Sequence, residues 1–92
     1  MTTFATIALT RRNDWQPGEL GRFDDWMDAV EMADRTLAHT TVDAAVAVVL
    51  LDPEPGENAY HGVDWRGRGW LPLNIVDRIL LAAEKLQHGE RL

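Results

Sequence analysis

The stretch Val42-Asp43-Ala44-Ala45-Val46-Ala47-Val48-Val49-Leu50-Leu51 decides the fold of this 92-residue chain. Its last eight residues form an uninterrupted apolar run rich in valine, and this length and composition predict a strand rather than a helix. Both alternating sets of side chains are apolar, which is typical of a strand that is covered on both faces. We therefore expect this stretch to form the central strand of a sheet.

The flanking sequence predicts four further elements and the order β-α-β-β-α. A first strand rich in β-branched residues precedes a helix whose apolar positions recur at helical spacing and whose N-cap is Asp25. After the central strand, an acidic turn leads to a third strand, and a second amphipathic helix ends at Gly89. The predicted elements cover residues 2–11, 26–39, 42–51 and 59–66, with the second helix running from Pro72 or Asn74 to Gly89. Residues 12–21, with a turn at Pro17-Gly18, are predicted to be a loop.

These elements define an α+β fold: one small β-α-β-β-α domain over residues 1–92, with a three-stranded sheet packed with two amphipathic helices. If the first and central strands run parallel, the first helix makes a right-handed crossover between them. Two placements of the helices stay open. Both helices on one face would leave the other face to a dimer or a partner protein, whereas one helix on each face needs no partner.

Composition narrows the classes of function. The chain contains no cysteine, which excludes disulfides, thiolate metal sites and iron–sulfur clusters. The net charge of −6 disfavours broad electrostatic binding to nucleic acid or to anionic lipid and suits a basic partner surface better. Because the sequence shows neither a signal peptide nor an apolar run long enough to span a bilayer, we expect a cytoplasmic protein without membrane contact.

Residues for catalysis are scarce in this chain. Serine is absent as well as cysteine, so the usual nucleophiles are missing. His61 and Asp64 are three residues apart, and on a strand that spacing directs their side chains to opposite faces, which argues against a metal site. The carboxylate pairs fall at a helix start and in a turn, where acidic residues have structural reasons to occur. We therefore predict that the protein is not an enzyme and uses no cofactor or metal.

The segment over residues 60–70 is the most unusual part of the sequence, because it combines three aromatic residues with two arginines. Tryptophan, tyrosine and arginine dominate the hot spots of protein interfaces. A leucine on the polar side of the second helix adds mild support for a contact surface. The predicted partner-binding residues are Tyr60, Trp65, Arg66, Arg68, Trp70 and Leu81.

These observations favour a non-catalytic protein–protein interaction module, either a homodimer or a small acidic inhibitor or accessory factor of the kind that phages and plasmids encode. The alternative is a nucleic-acid-binding protein that uses the Arg, Gly and aromatic residues of the Trp65–Trp70 segment, since arginine and aromatic faces stack on bases. The negative net charge weakens this alternative, because little positive charge is available to neutralise phosphates.

Overall fold

The computed structural model describes residues 2–52 and 63–92 of the chain. They form an α+β fold, as predicted, in which an antiparallel sheet is combined with two helices. The elements in chain order are β1 (Phe4–Thr10), β2 (Gly18–Phe23), α1 (Trp26–His39), β3 (Ala44–Leu50), β4 (Asp64–Arg68) and α2 (Ile75–Gln87), with a short 3-10 turn at Arg11–Asn13 after β1. The strand order is β2-β1-β3-β4, and each neighbouring pair is antiparallel.

The prediction of three strands was wrong, because the end of the loop predicted at residues 12–21 belongs to a fourth strand, β2, over Gly18–Phe23. This strand carries two glycines and no β-branched residue, so its sequence lacks the usual signal for a strand. These residues form a strand because they pair with β1, in a register that places Phe4 opposite Phe23. β1 and β3 are therefore antiparallel, not parallel as the expected crossover would require. The helix α1 connects β2 to β3. These two strands are parallel to each other, and β1 lies between them.

One helix covers each face of the sheet, which decides between the two placements that the sequence left open. Side chains of α2, of one face of β1 and β3, and of the connection between β1 and β2 form a core on the α2 side: Ala5, Ile7, Leu9, Trp15, Ala45, Ala47, Val49, Ile75, Ile79, Ala82, Ala83 and Leu86. A smaller core lies on the α1 side: Ala29, Ala33, Val46 and Val48, with Phe4, Ala8, Phe23, Trp26, Val30 and Leu37 packed against it. The apolar character of both faces of β3 therefore reflects two cores within one chain.

Polar contacts hold α1 in its place on the sheet. Asp25 is its N-cap, as predicted, and the carboxylate accepts a hydrogen bond from the backbone N–H of Met27 at 2.9 Å. Near the middle of the sheet, the buried hydroxyl of Thr6 donates to the carbonyl oxygen of Ala29 at 2.9 Å. This bond satisfies a polar group inside the α1-side core and ties the helix to β1.

The connection between β1 and β2 is held by α2. Asp14 and Trp15 both have positive φ angles, 56° and 58°, in the left-handed region that residues with side chains seldom occupy. Trp15 is buried in the α2-side core, and the guanidinium of Arg78 donates to the carbonyl oxygens of Asp14 and Trp15 at 3.4 and 3.2 Å. Burial of the indole and these bonds fix the connection over the sheet.

Candidate interaction surface

β4 is the strand that carries most of the predicted contact residues. Of the strand predicted at residues 59–66, residues 59–62 lie outside the described part of the chain; the observed strand runs from Asp64 to Arg68, two residues beyond the predicted end. Tyr60 and His61 lie outside the described residues. Gly67 has a packing role, because a Cβ there would collide with the Cδ1 atom of Leu71, which fills the space above the glycine.

The register of β4 against β3 separates the predicted contact residues. Trp65 lies opposite Ala47, a residue of the α2-side core, whereas Arg66 lies opposite Val46 of the α1-side core. Since successive side chains of a strand point to opposite faces, Arg68 shares the α1 side with Arg66. The sequence places these residues side by side, and the sheet divides them between its two faces.

Arg66 is engaged in an ion pair between β4 and α1. Its guanidinium donates to a carboxylate oxygen of Asp34 and lies 3.5 Å from the carboxylate of Asp64. The hydrogen bond to Asp34, helped by the attraction of both carboxylates, raises the pKa of Arg66 above its ordinary value. The positive charge of Arg66 is therefore matched by two carboxylates of the same chain.

Arg68 contacts the carboxyl-terminal end of α1. Its guanidinium donates to the carbonyl oxygen of Thr40 and, at 3.4 Å, to that of Leu37. These carbonyls are at the negative end of the helix, where backbone acceptors have no partner within the helix and a cation is favourable. Arg68 therefore links the β4 edge of the sheet to the end of α1.

The three remaining apolar residues of interest lie in different places. Trp65 is on the α2 side of β4 and is 39% exposed. Trp70, 63% exposed, follows β4 and packs its ring 6.4 Å from that of Trp15 at a tilt of 59°. Leu81 is exposed on the outer side of α2, about 140° around the helix from Val76. The structure therefore does not bring all of the predicted residues to one surface.

Two exposed apolar residues near the start of α2 were not among the contact residues predicted from the sequence. Leu73 is fully exposed and Val76 is partly exposed, although both are aliphatic. Val76, Leu80 and Gln87 share one flank of α2 at spacings of four and seven residues. The same spacings are visible in the sequence and indicate this flank, but they do not indicate that it is left open.

This flank of α2 faces the β4 side of the molecule. On the opposite flank, Arg78 binds the β1–β2 connection, whereas Gln87 donates to the carbonyl oxygen of Leu50, the last residue of β3, at 2.9 Å. Val76 and Leu80 therefore lie toward β3 and β4, on the same side of the sheet as Trp65. We call the outer edge of β4, together with Trp65, Val76 and Leu80, the β4 edge surface.

The two edges of the sheet differ in regularity. Within residues 2–52 and 63–92, β4 pairs with β3 alone, and its register is unbroken over all five residues. The pairing of β2 with β1 shifts register between Thr6 and Ile7, an irregularity of the kind that twists an edge and discourages further pairing. The β4 edge is thus the more suitable of the two for adding a strand.

An open crevice of about 210 Å³ lies beside α1, lined by Phe23, Asp28, Glu31, Met32 and Arg35. Its volume is below the range of roughly 300–1,000 Å³ that is typical of small-molecule sites. Glu31 and Arg35 form an i,i+4 ion pair at 2.7 Å there, which gives both charges a structural partner. Among the described residues, no three His, Asp or Glu side chains are grouped as metal ligands.

The described residues form a small α+β domain in which partly exposed apolar side chains lie beside the edge strand β4. Comparisons of the chain with known protein families, with curated proteins and with solved structures find no match. In the part of the chain that the structure describes, neither helix is long and apolar enough to cross a membrane.

Proposed function

We propose that this chain is a non-catalytic protein–protein interaction module and that its contact surface is the β4 edge surface. The observation that carries the proposal is the position of partly exposed apolar side chains, Trp65 and Val76, beside a regular strand edge. An edge strand offers backbone donors and acceptors to an added strand, and neighbouring apolar side chains supply burial and specificity. Binding by a small acidic accessory factor or inhibitor fits this arrangement.

The contacts of the arginines support protein binding over nucleic-acid binding. Arg66 is paired with Asp34 and Asp64, and Arg68 is bound to the end of α1. Nucleic-acid affinity depends on cations that are available to replace counterions of the phosphates. We therefore expect no binding of labelled RNA or single-stranded DNA at low ionic strength, and salt-dependent binding would favour the alternative.

Removal of the apolar side chains tests the proposal. The tagged chain is used as bait in host lysate supplemented with untagged chain, and bound proteins are identified by mass spectrometry. We expect the double variant Trp65→Ser with Val76→Ser to lose the bound proteins, because the surface loses its apolar contacts while strand edge and fold remain. Circular dichroism verifies the fold.

Met27→Ser is the matched control, since Met27 is a well-exposed apolar residue on the opposite layer, in α1. We expect this variant to retain what the unsubstituted chain binds. Equal binding by the double variant and the control would contradict the proposed surface.

A further inference from the structure

The geometry points to a second copy of this chain as the partner: two β4 strands pair antiparallel about a twofold axis at Trp65. This inference rests on the proposed function and names the partner of the same surface. Identical strands that pair in this way are related by a twofold axis perpendicular to the sheet, so one residue lies opposite its own copy. The residue at the axis fixes every other pair.

The charges of β4 select the register. With Asp64, Arg66 or Arg68 at the axis, a charged side chain meets its own copy, and with Gly67 at the axis, Arg66 meets Arg68. Like charges that lie directly opposite each other destabilise a strand pair. With Trp65 at the axis, Asp64 of each copy lies opposite Arg66 of the other, so two pairs of opposite charge form. Trp65 is the single position among the five residues of β4 that avoids a like-charge pair.

The packing of Gly67 agrees with this register. With Arg66 at the axis, the indole of Trp65 from one copy would lie over Gly67 of the other. Leu71 of the same chain already fills the space above Gly67. With Trp65 at the axis, the residue opposite Gly67 is Val63, which is smaller than tryptophan, and the two indoles meet each other in the kind of aromatic pair that stabilises adjacent strands.

On both faces of the sheet, the side chains next to the axis are complementary to those of the second copy. On the α2 side, the flank with Val76 and Leu80 faces β4, so the flanks of two copies approach each other across the axis and cover exposed apolar surface. On the α1 side, Arg66 lies between Asp34 of its own chain and Asp64 of the other copy. The two four-stranded sheets become one continuous sheet of eight strands.

The mass of the chain in solution is the first test. A five-residue strand pair is small, so we expect association that depends on concentration. Sedimentation equilibrium from about 10 μM to about 1 mM should show a shift from 10.4 kDa toward twice that mass, since this range covers dissociation constants from about 10 μM to about 1 mM. A chain that stays at 10.4 kDa up to the highest concentration would overturn the inference.

Charge reversal tests the register. Asp64→Arg alone places two guanidinium groups opposite each other across the axis, and Arg66→Asp alone places two carboxylates opposite each other, so each variant should dimerise about tenfold more weakly or worse. Mixing the two variants restores opposite charges in both pairs across the axis, and we expect the mixture to associate more strongly than either variant alone. A mixture that associates no better than its components would exclude the Trp65-centred register.

The other edge strand supplies matched controls. Glu19→Arg and Arg22→Asp make the same charge changes on β2, where Glu19 and Arg22 are an i,i+3 ion pair. We expect both to dimerise like the unsubstituted chain, which separates a local effect at β4 from the change in net charge. Thermal unfolding of all four variants verifies that each is folded.

A cysteine cross-link gives an independent measurement in a chain that has no cysteine of its own. With Trp65 at the axis, the two Trp65→Cys residues lie opposite each other at a Cα separation of about 4.5–5.5 Å, which suits a disulfide. We expect Trp65→Cys to oxidise to a covalent dimer and Glu19→Cys on β2 to remain mostly monomeric. Equal cross-linking at both positions would contradict the pairing.

The outcomes separate this inference from the proposed function. A monomeric chain that captures another protein, and loses it in the Trp65→Ser with Val76→Ser variant, would overturn self-pairing and leave the interaction module standing. A monomeric chain that captures nothing would contradict both. A dimer that is insensitive to the β4 charge reversals but lost in the serine variant would retain the surface and reject the strand register.

Discussion

At the scale of single residues, neighbouring side chains require glycine at two positions in and after β4. Gly67 leaves room for Leu71, and Gly69 combines a φ of 76° with the Asp43 side chain at the place where a Cβ would lie. A residue with a side chain at Gly69 would meet both backbone strain and a collision. Gly69 therefore fixes how the chain leaves β4 toward α2.

Gly69→Ala should lower the free energy of unfolding by about 2–3 kcal/mol, because strain of about 1–2 kcal/mol adds to displacement of Asp43. Gly89→Ala is the matched control, since Gly89 has a φ of 79° with no atom near the Cβ position, and it should cost the backbone strain alone, about 1–2 kcal/mol. Urea unfolding of both variants measures the difference. Equal losses would show that the contact with Asp43 has no energetic effect.

The arginines of β4 make contacts within the chain that residue types alone do not predict. Arg66 and Arg68 in a tryptophan-rich segment were predicted to contact a partner, and the structure gives each an intramolecular contact with α1. Strand alternation indicates that the two share a face, but what covers that face depends on α1. These contacts hold both arginines on the α1 side of β4, next to residues that are distant in the sequence.

At the scale of elements, α1 is held by two contacts near its start and one at its end. Asp25 caps its first turn, Thr6 bonds its second turn at Ala29, and Arg68 binds its last carbonyls. The first contact is local and was predicted from sequence. The other two come from strands that are distant along the chain, so only the folded sheet brings them to the helix.

Arg68→Ala should lower the free energy of unfolding by about 0.5–1.5 kcal/mol, because carbonyl oxygens at the end of α1 lose a charged donor. Hydrogen exchange should quicken most in the last turn of α1, next to Leu37. Arg12→Ala removes the same charge from an exposed residue of the 3-10 turn and should change stability by less than about 0.5 kcal/mol. Loss of protection spread evenly over the molecule would contradict the local role of Arg68.

At the scale of the whole molecule, the sheet is shared by two cores. β3 contributes Ala45, Ala47 and Val49 to the α2 side and Val46 and Val48 to the α1 side. A substitution that destabilises one core should therefore also destabilise the other, because both cores pack on the same strand. We expect the two helical layers to unfold as one cooperative unit, as small domains usually do.

Ile79→Ala should cost about 2–5 kcal/mol, because Ile79 is fully buried in the α2-side core and its truncation leaves a cavity. Amide exchange should then quicken in α1 as much as in α2, although α1 lies on the other face. Leu81→Ala on the same helix removes an exposed side chain and should stay within about 0.5 kcal/mol of the original stability. Retained protection of α1 in Ile79→Ala would show that the layers unfold separately.

The sequence by itself determined the elements with strong local signals. The apolar run of β3, the helical periodicity and N-cap of α1, and the glycine after α2 each predicted an element, because period and capping chemistry act within a few residues. The α+β class follows from those elements. The exposed flank of α2 is also visible as a pattern, although not as an open surface.

Only the tertiary structure decided the rest. β2 is a strand because β1 pairs with it, and its own residues favour a turn equally well. The same pairing reverses the direction expected for β3 relative to β1 and sets one helix on each face. The pairing of β4 with β3 divides residues 65–68 between two faces, and among the described residues no second strand lies beside β4. Strand pairing joins residues far apart along the chain, and their contact energies outweigh local preference, so these features arise only in the folded sheet.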